Sequence, residues 1–406
     1  MMASECDRKI APGPSVPRFD QRVSPRERAV IEPFGALLTI ALMVLAPSFT
    51  RANEPGPWSI EKADAWSRAR PWLVGCNYAP STAINQLEMW QADTFDLVTI
   101  ERELGWAEDL GFNSLRVFLH HMLWEQNETG LLTRMEQFLA VADRHKIGVV
   151  FVLFDGVWDP FPQLGQQRAP RQGLHNSGWV QSPGAHVLQD PSQHEVLKSY
   201  VTGVVGYFKS DRRIHAWDLF NEPDNPNSSS YGQVELANKA DLALAVLEKT
   251  FSWARSVGPA QPLTAGVWVG DWSVADKLSP INRFMLTQSD IISFHNYSPL
   301  AKLKQDIDSL KRYKRPLLCT EYMARPAGST FDPILPYLKE EHIGAYNWGF
   351  VAGKTNTIYP WDSWQKAYSA EPPVWFHDIF RPDGRPYDAN ETAFIRKVTG
   401  KAAPAR

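Results

Sequence analysis

Two glutamates in this chain each close an apolar run, and that placement suits them for chemistry. Trp217-Asp218-Leu219-Phe220-Asn221-Glu222-Pro223 carries a polar pair at the end of a strand-like stretch, and Pro223 then stops ladder pairing. Pro316-Leu317-Leu318-Cys319-Thr320-Glu321-Tyr322 repeats the pattern with a single Glu. Alone, Glu222 reads equally well as a helix N-cap or a surface acid. Together the two form the pair that glycoside hydrolysis needs. One carboxylic acid protonates a leaving oxygen while the other carboxylate attacks the anomeric carbon. An apolar rim around Glu222 raises its pKa toward acid function.

Such a pair needs a scaffold that brings distant segments to one face. Apolar runs at residues 72–76, 114–119, 149–154, 214–220, 263–268, 291–294, 316–320 and 344–348 read as strands. Helix-period segments fall between them at 97–110, 132–145, 194–208, 234–253 and 300–313. Alternation of this kind implies a parallel sheet, and near-continuous apolar strands imply burial on both faces. Eight units favour closure into an α/β (β/α)8 barrel, with Glu222 ending the fourth strand and Glu321 the seventh. Those two ends face each other across the mouth, which predicts carboxylates about 5–5.5 Å apart and retention of configuration. Two long insertions, 155–191 and 351–386, follow strands three and eight and belong at the C-terminal face, where specificity is set.

The 406 residues are 44% hydrophobic and 21% charged with a formal net charge of −3, which excludes the basic footprint of a nucleic-acid binder. A neutral partner, carbohydrate, fits better. The 16 Trp and 12 Tyr mostly serve a core by default, but loop indoles offer flat apolar faces on which sugar rings stack. Trp158, Trp179, Trp361 and Trp364 are the loop candidates, with Trp158 and Trp361 taken forward as substrate contacts.

Cys76 and Cys319 fall inside strand runs and read as buried thiols, although spacing alone leaves a bridge open. His120 and His121 are adjacent, so in a strand they face opposite sides and cannot share an ion. No Cys or His-Glu spacing reads as a metal site, and no nucleophile elbow or nucleotide fingerprint is present, so no cofactor is expected. Arg22, Arg26 and Arg28 precede the apolar run 34–46, which is short for a transmembrane helix and suits a signal h-region. Thr50-Arg51-Ala52 offers a cleavage site. Residues 1–52 are therefore expected to be a targeting segment, with an uncleaved membrane anchor as the alternative, and 53–406 a secreted or periplasmic, monomeric catalytic domain with no membrane span of its own.

The Asn-Glu-Pro motif ending strand four and the Glu ending strand seven resemble the clan GH-A retaining glycosidases. Within that clan the chain is most similar to glycoside hydrolase family 5, the cellulase and mannanase group. The resemblance covers the mature chain and is specific to the clan more than to any substrate. It implies Glu222 as acid/base, Glu321 as nucleophile, and Asn221 as partner of the sugar 2-hydroxyl. Arg116, ending strand two, resembles the arginine that keeps the nucleophile ionised. His295 and Tyr297 resemble the clan's His-x-Tyr after strand six, contacting sugar and Glu321 respectively. Trp348, ending strand eight, matches the aromatic platform beneath the reacting sugar. One departure stands at Phe154-Asp155-Gly156, where many family members carry a His; His121, with His120, is expected to take part of that role.

The resemblance implies hydrolysis of a β-linked mannan, glucan or xylan through a glycosyl-enzyme ester. A transglycosylase using the same residues and a barrel that binds carbohydrate without turnover are the alternatives.

Overall fold

A parallel strand covered on both faces is buried along its whole length, and every residue of the observed strands except His215 is buried, the polar ones that face the barrel interior included. The computed structural model describes residues 56–402, so the expected targeting segment lies outside the described residues. The strands are β1 (Val74–Tyr78), β2 (Ser114–Phe118), β3 (Gly148–Asp155), β4 (Ile214–Asn221), β5 (Leu263–Thr264), β6 (Ile292–His295), β7 (Leu317–Tyr322) and β8 (Gly344–Asn347). All ladders are parallel, in the order β5-β4-β3-β2-β1-β8-β7-β6. A bridge between Val267 and Phe294 joins the two ends and closes the ring. The (β/α)8 barrel expected from alternation is therefore present.

Helices such as Leu97–Asp109, His194–Tyr207 and Leu300–Lys311 cover the outside. They bury their apolar stripes against outward-facing strand residues, including Leu115, Phe151, Trp217 and Cys319, in one continuous cluster. A second cluster fills the lower barrel with Val150, Ala216, Leu318 and Tyr346, and Trp66 of the helix Ile60–Arg68 plugs its base. Cys76 and Cys319 are buried free thiols.

Several elements depart from the sequence reading. β5 pairs over Leu263–Thr264 alone, and the chain beyond it meets β6 only through the Val267 bridge. The helix expected at 132–145 begins at His121 and breaks at Asn127, whose side chain accepts from the Gly130 N–H and restarts it. The segment Phe331–Glu340 is helical despite Pro333 and Pro336, residues that hide a helix from a propensity reading. The helix expected at 234–253 runs Lys239–Ser256, because residues 222–238 form a loop over the barrel mouth.

Candidate active site

At the centre of the barrel lies Arg116, whose side chain is fully buried. An unpaired guanidinium there would be prohibitive, so the surrounding strands supply acceptors. Nε donates to Asp218 at 3.0 Å, Nη1 to Asn77 at 2.8 Å and to Glu321 at 2.9 Å, and Nη2 to Asn221 at 2.8 Å. One planar cation thus orients residues from β1, β4 and β7. Asn77 in turn donates to the backbone carbonyls of Thr320 and Asn347.

Glu321 reaches this hub only because β7 departs from alternation. Leu318 points into the barrel and Cys319 outward, so strict period-two pleating would send Glu321 outward as well. Register shifts against β6 and β8 interrupt the strand at that point and re-aim the carboxylate into the mouth. Its second oxygen accepts from the Tyr297 hydroxyl at 2.7 Å. Burial, together with the neighbouring Glu222, pushes the Glu321 carboxyl up, while Arg116 and the Tyr297 hydroxyl pull it back toward the charged form. Tyr297 is itself pushed up by burial and by Glu321, so it keeps the proton it donates.

Glu222 follows the last residue of β4 and holds a left-handed backbone at φ 41°. Such a conformation in a non-glycine residue costs about 1–3 kcal/mol and marks a position that surrounding structure fixes. Its carboxyl contacts His295 Nδ1 at 2.8 Å and accepts from the Asn225 amide at 2.6 Å. Burial pushes it up to about 7, with the charge of Asp224 adding to the effect. The two glutamates thus differ. Glu321 faces a guanidinium and a hydroxyl donor, whereas Glu222 faces a neutral imidazole and an amide. A proton shared by the pair therefore rests on Glu222. His295 is held neutral because burial lowers it to about 4. One oxygen of each glutamate and a His295 ring nitrogen lie within 4.8 Å of one another. Three such donors are within reach of a common cation, but the Arg116 guanidinium on Glu321 opposes one electrostatically.

The pair opens into a cavity of about 410 Å³. Seven of the ten residues singled out in the sequence line it: Asn221, Glu222, Glu321, Tyr297, Trp348, Trp158 and Trp361. Arg116 and His295 sit directly beneath, bonded to the glutamates. His121 is the exception. It is buried at the start of the helix His121–Arg144, where Nδ1 meets Ser182 Oγ at 3.0 Å, and its ring stacks on His120. The two imidazoles lie side by side because the chain turns helical after β2, which removes the alternation assumed for a strand. They anchor the loop after β3 and do not meet the cavity. Trp179 is also absent from the cavity wall, packing edge-on against Phe118 and Trp348.

Some contributors were not singled out in the sequence. Asp155 ends β3 and accepts from the Asn221 amide at 2.9 Å, the Trp179 indole at 2.7 Å, Gln86 at 2.9 Å and the Val157 N–H at 3.1 Å. Burial pushes it up to about 7 against the pull of these donors. Asp218 balances Arg116, and its signal was present as a lone acid inside an apolar strand. Trp268, beyond β5, lines the cavity and donates its indole N–H to Asp224 at 2.7 Å. His175 and Asn176, from the loop after β3, complete the wall.

No protein-family model matches the sequence, and no curated protein matches it. Solved structures do match. An exo-β-1,4-mannosidase from Opitutaceae bacterium strain TAV5 is 20% identical with a TM-score of 0.54, over 81% of this chain and 59% of that one. A β-1,4-D-mannanase from Cryptopygus antarcticus is 13% identical with a TM-score of 0.53, over 82% and 91%. A β-1,4-mannanase from the sea hare Aplysia kurodai is 18% identical with a TM-score of 0.50, over 69% and 88%. At these identities the likeness is one of fold, and the fold that this chain shares with them is the (β/α)8 barrel.

Proposed function

We propose that this chain is a clan GH-A, family 5-like retaining β-glycoside hydrolase that needs no cofactor. The observation that carries the reading is the opposition of Glu222 and Glu321 across the barrel mouth, with donor atoms of the two inside a 4.8 Å cluster. Retaining enzymes need about 5–5.5 Å between carboxyl groups, whereas inverting ones leave about 6.5–9.5 Å for a water. The spacing supports double displacement. Glu321, held charged by Arg116 and Tyr297, attacks the anomeric carbon while Glu222 gives its proton to the departing oxygen. Glu222, now a carboxylate, then takes a proton from the water that cleaves the glycosyl ester on Glu321.

Asn221 has its carbonyl on Arg116 and one N–H on Asp155, which leaves the second N–H free for a sugar 2-hydroxyl. Trp348 supplies an apolar face for the reacting ring, and Trp158 and Trp361 line the same cavity. The solved structures of like fold include β-1,4-mannanases and a β-1,4-mannosidase, which favours a β-mannoside as substrate. The signal-like segment before residue 53 supports export, and no described helix is long and apolar enough to cross a membrane.

The test is Glu321→Ala on activated aryl β-glycosides. Turnover should vanish, and added azide should restore release of the aryl group with formation of the α-glycosyl azide, since a small anion can attack from the vacated side. Near-normal activity in the variant would remove Glu321 from the nucleophile role.

A further inference from the structure

The walls around the catalytic cavity are of very unequal height. After β6 the chain spends only residues 296–299 before the next helix begins, and after β5 it spends 265–279. After β3 and β8 it spends 156–184 and 348–388. The two long loops are fastened together. The Asn176 N–H donates to the Thr355 carbonyl at 2.9 Å, the Tyr368 N–H to the Gly173 carbonyl at 3.0 Å, and the His175 N–H to Ser363 Oγ at 3.0 Å. His175 Nδ1 also meets the Tyr359 carbonyl at 2.8 Å. Two of these four bonds run from main chain to main chain and do not depend on side-chain rotamers, so the joined loops form a fixed wall from β8 round to β3.

Toward β4 the wall is sealed by a stack. Trp158 lines the catalytic cavity, and Trp364 lies behind it with ring centroids 6.2 Å apart and planes 20° from parallel. Arg171 covers Trp364 at 4.9 Å, and Gln365 donates to the Ser229 carbonyl at 2.9 Å. Beyond this stack lies a second hollow of about 900 Å³, lined by Trp364, Tyr231, Arg168 and Gln167. Ser228 and Ser229 edge both spaces. A continuous cleft that would pass a polysaccharide chain is thus divided by two indoles and one hydrogen bond.

Resting on the glycosidase reading above, we infer that the site is an end-acting pocket, in which the closed space holds the terminal sugar at the non-reducing end. The orientation comes from the positions of the two carboxylates. Asn221 and Trp348, which would grip the sugar joined to Glu321, belong to the high-walled side through Asp155 and the Trp348–Trp179 contact. Glu222 connects through its neighbour Asp224 to Trp268, on the low β5 side. The group that Glu222 protonates leaves in that direction, over the shorter loops 265–279 and 296–299, and the remaining chain follows it. The expected product is a single monosaccharide at each turnover, with the polymer shortened by one unit.

The experiment is a time course of the full chain on reducing-end-labelled β-1,4-linked oligomannosides, oligoglucosides and oligoxylosides, run beside the aryl monoglycosides. The inference expects labelled products shorter by one unit at each step, free monosaccharide from the earliest time, and turnover of an aryl monoglycoside. Labelled disaccharide or trisaccharide as a first product from a long substrate overturns it while leaving the glycosidase reading intact. Silence on every oligosaccharide and every aryl glycoside overturns that reading and this one with it. The double variant Trp364→Ala/Gln365→Ala, which joins the two hollows, should raise internal cleavage at least tenfold relative to monosaccharide release. An unchanged ladder in a folded variant overturns the assignment of the stack as the barrier.

Discussion

Nη1 of Arg116 donates to Oε1 of Glu321 across 2.9 Å, and the same guanidinium reaches Asn221 through Nη2 at 2.8 Å. The group that would be nucleophile and the group that would hold the 2-hydroxyl are therefore set by one rigid plane. Arg116→Met should hit both. Loss of one charge-stabilising donor costs about 10²–10³ in kcat, and loss of a buried pairing partner costs about 3–5 kcal/mol because Asp218 is left uncompensated. Arg116→Lys should recover stability better than rate, since an ammonium cannot reproduce the fork. Steady-state kinetics and thermal unfolding of the two variants separate these effects, and a fully active Arg116→Lys enzyme would count against the fork.

Glu222 is pushed up to about 7 by burial, so it enters the reaction protonated below that pH. The rate constant kcat/KM on substrates with poor leaving groups should therefore fall as pH rises through about 7. Glu222→Ala should erase that alkaline limb and slow poor leaving groups far more than good ones, because only the former need the proton. A pH profile that keeps its alkaline limb in the variant assigns the titration to another group.

Asp155 makes a sharper test of how Asn221 is held. Four donors converge on its carboxylate. Asp155→Asn is isosteric but turns one acceptor into a donor facing them, and the Asn221 amide must shift. A misplacement of about 1 Å can cost about 10²-fold in rate. The loss should fall on kcat for glycosides that carry a 2-hydroxyl and be small for 2-deoxy analogues, a split that simple loosening of the fold would not produce. Stability should respond too. A carboxyl whose folded pKa is raised to about 7 binds its proton more tightly in the native state, so stability declines as pH climbs from about 4 to about 7. Burial raises Glu103 and Glu222 to about 7 as well, so Asp155→Asn should make that decline shallower by one group's share in a series of denaturant melts.

The strands and the two glutamates were legible because burial on both faces forces continuous apolar runs, and a polar residue closing such a run is conspicuous. What the sequence concealed depends on local breaks in period. The re-aiming of Glu321 arises from register shifts beside Cys319, which no alternation rule anticipates. His121 was misplaced because the helix starts directly after β2 and stacks the two imidazoles. Asp155 stood in view as a departure from the family pattern, yet its role needs Gln86 and Trp179, which are 69 and 24 residues away. Trp158 and Trp364 look alike in sequence, and only folding puts one inside the cavity and the other behind it.

Lys239 and Glu235 form a second buried charge centre, with both side chains 4% exposed and 2.7 Å apart. Lys239 also donates to the Gly156 carbonyl at 2.6 Å, and Glu235 accepts from Gln181 at 2.6 Å and Asn227 at 2.7 Å. The cluster therefore ties the loop after β3 to the loop that carries Asn225, the partner of Glu222. Gly156 has no room for a side chain here, since a Cβ would lie 2.1 Å from the Glu222 carbonyl oxygen. Lys239→Met should leave a buried carboxylate unpaired and cost about 3–5 kcal/mol, whereas Lys239→Met with Glu235→Leu should regain part of that loss. Calorimetric midpoints of the single and double variants measure the difference. Both variants also remove a positive charge that, like the Asn225 hydrogen bond, pulls the Glu222 carboxyl down, so the alkaline limb governed by Glu222 should move to higher pH in each. A limb that stays in place while stability falls would confine the cluster to a structural role.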